Sequence, residues 1–470
     1  MSTDVTSAPE APGGGESGDG LTLESVKRRL LRGSAWVMGG RLLTIFLGLI
    51  TNALLARILP PGQLGEYFTT LSLVFVGSIV GQLGLDRAVV RFVSTALAID
   101  EPGQAKSTVK TIFFYGTIGA IGTGLVLALG LGGFLARHVY HSVVLAKLMP
   151  IAAGWLIVTA LGALLVDTFR GFQRFDLATL YDQVLINILS VSVFGAIYLV
   201  HGSVNVHQVV LISAGFTAIS TLVAGGLLLG KIKRLGDEGE PVPRGEIYAM
   251  AWPLLVTNVA IYLLGTGIDL WVLGAFRPQA QVALYGAASR VMFLVATPYL
   301  ILQGVTPPLI AEMYAKGKKR EMERTLRMVS TVAGIPAAAA LVCFLFFGDS
   351  VLGLFYGPFY RQAATVLAIL SAGRLVAVWT GSAGVTLMMT GHQKQMMYIT
   401  VCSGIASVTA GLLLAPHYGK VGVAIGTAST QAMQNTLQVL TAKRLVGVWT
   451  NAHLSPKPLI EFLRPNRPPA

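Results

Sequence analysis

The chain is 470 residues long, 53% hydrophobic and only 12% charged, with a mean hydropathy of +0.67. Soluble globular chains carry about 25% charged residues, so this balance excludes one and leaves a membrane protein. The net charge of +13 does not point to nucleic acid. With the N-terminus placed in the cytosol, 26 of the 35 Lys and Arg residues fall in cytosolic segments and 6 in outer loops, which is the positive-inside pattern. The remaining three, Arg41, Arg290 and Arg374, lie inside apolar segments, and no basic patch is left over for a polyanion.

Residues 1–20 are small, polar and rich in Gly and Pro, a composition expected to be disordered. No charged-then-apolar leader with a cleavage site precedes the first apolar segment, so no cleaved signal peptide is expected. Residues 21–33, LTLESVKRRLLRG, read as a basic amphipathic helix on the cytosolic membrane surface. Twelve apolar segments follow, at 34–56, 66–84, 110–132, 149–169, 178–200, 207–230, 248–275, 281–304, 327–347, 364–390, 396–415 and 421–442. Crossing ~30 Å of hydrocarbon takes about 20 residues, and a backbone in lipid must satisfy its own hydrogen bonds, so helices are expected. The fold class is then an all-α integral membrane protein of about twelve transmembrane helices. Cys343 and Cys402 fall in apolar segments and read as small core residues rather than a disulfide framework.

An internal repeat organises the twelve. Pro60-x-x-Gln63-x-x-x-Tyr67 follows the first segment, and Pro278-x-x-Gln281-x-x-x-Tyr285 follows the seventh, at an offset of 218. Gly171-Phe172-Gln173-Arg174 follows the fourth, and Gly391-His392-Gln393-Lys394 the tenth, at an offset of 220. Two matches at nearly one offset imply two six-helix halves, 34–230 and 248–445, joined by a cytosolic linker at 231–247. Residues 446–470 form a basic cytosolic tail, so both termini are cytosolic. Because six is even, the halves enter from the same side. Their pseudo-two-fold axis runs along the membrane normal, with a cavity expected between them.

The stretches GSAWVMGGRLL, LLARILPPGQLGEYFTTLSLV, LGLDRAVVRFV, RGFQRF and LYGAASRVMFLVATPYLILQGVTPPLI resemble the oligosaccharide flippase, or polysaccharide transporter, family. That family belongs to the multidrug/oligosaccharidyl-lipid/polysaccharide exporter (MOP) superfamily. The likeness runs from about Leu21 to Val446. It implies an inner-membrane transporter that moves polyprenyl-pyrophosphate-linked oligosaccharides from the cytosolic to the outer leaflet. The partners implied are the lipid-linked substrate, membrane lipids and a polysaccharide polymerase or ligase. The resemblance also implies functional arginines on the first and eighth spans.

The three intramembrane arginines test this. Counted at 1.5 Å per residue, Arg41 lies ~10 Å from the cytosolic edge, and Arg290 and Arg374 lie ~14 and ~15 Å from the outer edge. A guanidinium at mid-depth costs at least ~2.5 kcal/mol and cannot shed its charge. It must meet water, a counter-ion or an anionic ligand. Structural pairing with Asp167, Asp182 or Asp269 is the plainer reading; binding of the pyrophosphate is the functional one. Arg41, Thr44, Gly48 and Asn52 fall on one helical stripe, and Asn258, Tyr262, Gly265 and Asp269 on the equivalent one. Both suit a cavity lining as well as ordinary helix contact. Asp269 is the candidate for coupling to H⁺ or Na⁺. Arg87 and Arg91 read as positive-inside charge or as a cytosolic entrance for the headgroup.

No phosphate-cradling Gly-rich loop occurs, so no nucleotide motor is expected; His138 and His141 share a short outer loop that no acid or cysteine joins, so no metal is expected, and no cofactor is. An oligosaccharide polymerase or glycosyltransferase would need a sizeable outer loop, and the longest here is about 16 residues. A drug/cation antiporter of the same superfamily would want carboxylates at mid-depth, where this chain offers arginines.

Overall fold

A computed structural model describes residues 23–200, 204–237, 239–240, 242–263, 267–303 and 306–453. Among them the chain is helical with no strand. Large apolar side chains such as Phe114, Leu129, Leu199, Leu222 and Phe346 stand exposed on its flanks. So extensive an apolar exterior is stable only against lipid. The free Cys343 and Cys402 are also exposed, which corrects their reading as core residues: they sit on helix faces turned away from the bundle.

The first helix is Leu23–Ile58, of which Gly39–Ile58 is long and apolar enough to cross a membrane. The second span is Pro61–Gly81, continued after a break by Leu85–Ala98. The third to sixth are Pro102–Val139, Val143–Gly171, Phe175–Val200 and Val206–Lys233. The seventh is Arg244–Leu263 with Gly267–Phe276, and the eighth Gln279–Gln303 with Thr306–Ala315. The ninth is Lys319–Tyr356, and the tenth Ala364–Thr380 with Ala383–Met389. The helix Gln393–Leu445 is divided by the non-helical backbone of Gly419 into the eleventh and twelfth. Residues 1–20, Gly265 and most of the tail lie outside the described residues.

The repeat motif has a structural meaning. Gln63 Oε1 accepts the backbone N–H of Val206 at 2.9 Å, and Gln281 Oε1 accepts that of Lys420 at 3.2 Å. Each glutamine at the start of a half's second span thus satisfies an orphan donor at the start of that half's last span. The loop repeat is real, but its register is corrected. Arg174 N bonds Phe169 O at 2.9 Å, with Gln173 at φ 57°. His392 N bonds Leu387 O at 2.8 Å, with Gly391 at φ 84°. These are matching Schellman caps, and they align at 218, not at the 220 of the matching letters.

The halves meet chiefly through the second, seventh and eighth spans. Gly65 lies so close to Gln279 that a Cβ would stand 1.9 Å from its carbonyl oxygen. Trp271 Nε1 donates to Ser72 Oγ at 2.5 Å. Gly84, at φ 74°, breaks the second span where a Cβ would stand 2.0 Å from Ala251 O. Only glycine combines that backbone conformation with that approach. Arg57 adds a further tie, donating to Leu354 O and, at 3.3 Å, to Phe355 O.

Candidate functional site

Among the described residues two cavities bear on the site. The larger, about 620 Å³, lies within the N-terminal half. It is walled by polar and apolar residues of the first, second, fourth, fifth and sixth spans, with Arg290 and Phe293 entering from the eighth. Thr44 and Asn52 line it as their stripe predicted, together with Gly48 and Thr51. The smaller, about 250 Å³, lies within the C-terminal half and takes in Asp269, Tyr285, Arg374 and Thr427. Phe293 lines both.

Arg290 is the most constrained of the arginines. Its guanidinium carbon lies 3.9 Å from the centroid of Phe68, and Nη1 donates to Gly286 O at 3.2 Å. The ring face and the carbonyl steady the cation, the former by about 0.5–2 kcal/mol. A guanidinium has five N–H donors, and among the described residues no carboxylate pairs with this one. Arg374 stands with its guanidinium carbon 5.5 Å from the Phe293 centroid, again without a carboxylate among the described residues. Arg290 thus lines the larger cavity and Arg374 the smaller. Arg41 is exposed and outside the described lining. Its helical phase continues the Thr44–Gly48–Asn52 stripe toward the end that carries the basic loops.

The acids proposed as structural partners are engaged elsewhere. Asp167 and Asp182 share Arg170, at 2.5 and 3.0 Å, tying the fourth span to the fifth. Asp269 is 4% exposed; its two oxygens accept Tyr285 Oη at 2.7 Å and Thr427 Oγ1 at 2.9 Å. Among the described residues none of these three acids pairs with Arg41, Arg290 or Arg374.

Asn258 does not line either cavity. Its amide donates to Asp86 Oδ2 at 2.9 Å, bridging the two halves. Tyr262, on the same stripe, lies 3.4 Å from Ser72 O. Both stripe residues serve the contact between the halves, the ordinary alternative for small and polar positions. Arg87 and Arg91 are exposed on Leu85–Ala98, with Arg91 Nη1 3.7 Å from Met250 Sδ. The Asp86–Asn258 and Ser72–Trp271 bridges were not foreseen. The repeat aligns neither pair, and no local pattern marks a partner some 170 to 200 residues away.

Twelve helical spans built as two repeated halves, with a cavity in each, define the fold. Among solved structures of this fold, the chain resembles an inward-facing multidrug resistance MATE transporter of the MOP superfamily. The TM-score is 0.70 at 16% identity, covering 86% of this chain and 94% of the other. It also resembles the lipid II flippase MurJ in an inward closed conformation, with TM-score 0.68 at 14% identity, covering 87% of each.

Residues 30–314 match the family described as "Polysaccharide biosynthesis protein", to which the chain belongs, and residues 253–413 match the MatE family. A relative in Haloferax volcanii, named "Probable flippase AglR", is 25% identical over 428 residues, spanning 89% of this chain and 84% of that protein. "Uncharacterized membrane protein MJ1068" of Methanocaldococcus jannaschii is 20% identical over 420 residues, spanning 86% and 82%.

Proposed function

We propose that the protein flips polyprenyl-pyrophosphate-linked oligosaccharides from the cytosolic to the outer leaflet of the cell membrane by alternating access. The observation that carries this reading is Arg290, an intramembrane guanidinium facing a cavity of about 620 Å³ with no carboxylate partner among the described residues. The volume falls within the ~300–1,000 Å³ of small-molecule sites, enough for a headgroup while the polyprenyl tail stays in lipid. A guanidinium fork is suited to bidentate phosphate binding. Arg87 and Arg91 form the cytosolic entrance, and Arg41, at the mouth of the same stripe, is the next cation the headgroup meets. Arg374 holds the second cavity, where the buried Asp269 is the candidate coupling site. Both termini are placed in the cytosol, and a polysaccharide polymerase or ligase consumes the product.

The test is transport by the purified chain in liposomes with a labelled lipid-linked oligosaccharide. A cationic drug in the same vesicles serves as the competing cargo. Movement of the lipid-linked sugar alone is the expected result; movement of the drug alone would replace this reading with the antiporter one. Cysteine labelling of the loops near Gln63 and Gln281 should find both outside, and opposite faces would break the two-fold arrangement.

A further inference from the structure

Arg290 enters the larger cavity from the C-terminal half, so a pyrophosphate bound there leaves the remaining volume inside the N-terminal half. The wall in that direction offers hydroxyls and amides such as Thr51, Asn52, Asn187 and Thr221, with the aromatic Trp155 and Tyr181. Such groups both donate and accept, as sugar hydroxyls require. Thr51 lines the cavity at 8% exposure, and its Oγ1, held within the wall, has no hydrogen-bond partner among the described residues. A buried hydroxyl without a partner is costly unless a ligand meets it. Asp269, the repeat mate of Thr51 at offset 218, has both oxygens engaged, so the orphan hydroxyl is not a feature of the repeated scaffold.

Charge narrows the glycan further. Among the residues lining this cavity only Arg290 and Asp182 are charged. Asp182 is paired with Arg170, which Asp167 also contacts, and it is the one carboxylate among the described lining residues. With Arg290 taken by phosphate, a second anion would find no cation on this wall and a carboxylate at its edge.

Resting on the flippase reading of the same cavity, we infer that it selects carriers with an uncharged glycan: the pyrophosphate sits on Arg290, a neutral glycan lies against Thr51 and its neighbours, and a glycan bearing a carboxylate is rejected. The full-length protein in liposomes is given two synthetic polyprenyl-pyrophosphate disaccharides of equal length, one neutral and one ending in a uronic acid. The neutral one should move at least about tenfold faster, because an uncompensated like charge in a desolvated site is strongly penalised. Asp182→Asn should narrow that ratio. Thr51→Val should slow the neutral disaccharide more than it slows bare polyprenyl pyrophosphate. Equal rates for the two disaccharides, or a faster acidic one, would overturn the inference and leave the flippase reading standing. No movement of either would overturn both.

Discussion

The two halves share a frame and differ in what they hold. Gln63 and Gln281 make the same cap, and the Schellman turns at Gln173 and Gly391 have the same bonds. At offset 218, however, the N-terminal half carries Thr51 where the C-terminal half carries Asp269, and Ser72 where it carries Arg290. Ser72 is used for the contact with Trp271, whereas Arg290 reaches across into the other half's cavity. The N-terminal half thus has the large chamber, in which Asp182 is that half's one charged lining residue among those described, and the C-terminal half supplies its cation and keeps a small pocket of its own with Asp269 and Arg374. Repetition fixes where helices start and stop. Chemistry enters at the positions where the repeat is broken.

The strongest blow to this division would fall on the joint between the halves. Gly65→Val would drive a branched side chain into the Gln279 backbone, where even a Cβ stands at 1.9 Å. Transport should be nearly abolished and thermal stability reduced by more than ~3 kcal/mol, since backbone has little room to give. A melting curve in detergent reads the second effect.

Asp269→Asn should act on the C-terminal half alone. One of the two hydroxyl donors would then face an amide N–H₂, a loss of about 1–3 kcal/mol, and any dependence of transport on a Na⁺ or pH gradient should disappear. If wild-type transport ignores both gradients, the coupling role is gone and Asp269 is structural.

Gln63→Ala and Gln281→Ala probe the shared frame. Each should cost about 0.5–2 kcal/mol, the ordinary value of a lost helix cap. The double variant should cost their sum, because the sites are distant. A much larger loss in one half would mean that the frames are not equivalent.

Arg41→Ala should have the smallest effect. The side chain is exposed at the mouth, so abundance should hold and transport should fall by about threefold, chiefly at low ionic strength, where steering by exposed charge is least screened.

Much of this was legible in the sequence. Twelve apolar runs, the charge asymmetry and the Pro-x-x-Gln-x-x-x-Tyr repeat follow from lipid solvation and from capping, both local in the chain. Arg290 and Arg374 were visible because a charge in hydrocarbon demands a reason. What stayed hidden depends on contacts distant in sequence. The stripe of Asn258 gave the helical face but not the neighbour, which turned out to be Asp86. Phe68, which steadies Arg290, is one aromatic among many apolar residues. The letters Gly-x-Gln suggested an offset of 220, but hydrogen bonding follows the positive-φ residue of each cap, and that residue is Gln in one half and Gly in the other.

The central claim is that Arg290 serves an anion brought by the substrate, not a counter-ion within the protein. Membrane abundance and flipping of a labelled lipid-linked oligosaccharide, measured together in Arg290→Ala and Arg290→Lys, test it most directly. The account predicts wild-type abundance for both. Flipping should fall roughly 10²-fold in alanine, the loss expected for a buried charge-assisted contact, and less in lysine, which keeps the charge but loses the fork. Normal flipping at normal abundance in Arg290→Ala would contradict the account.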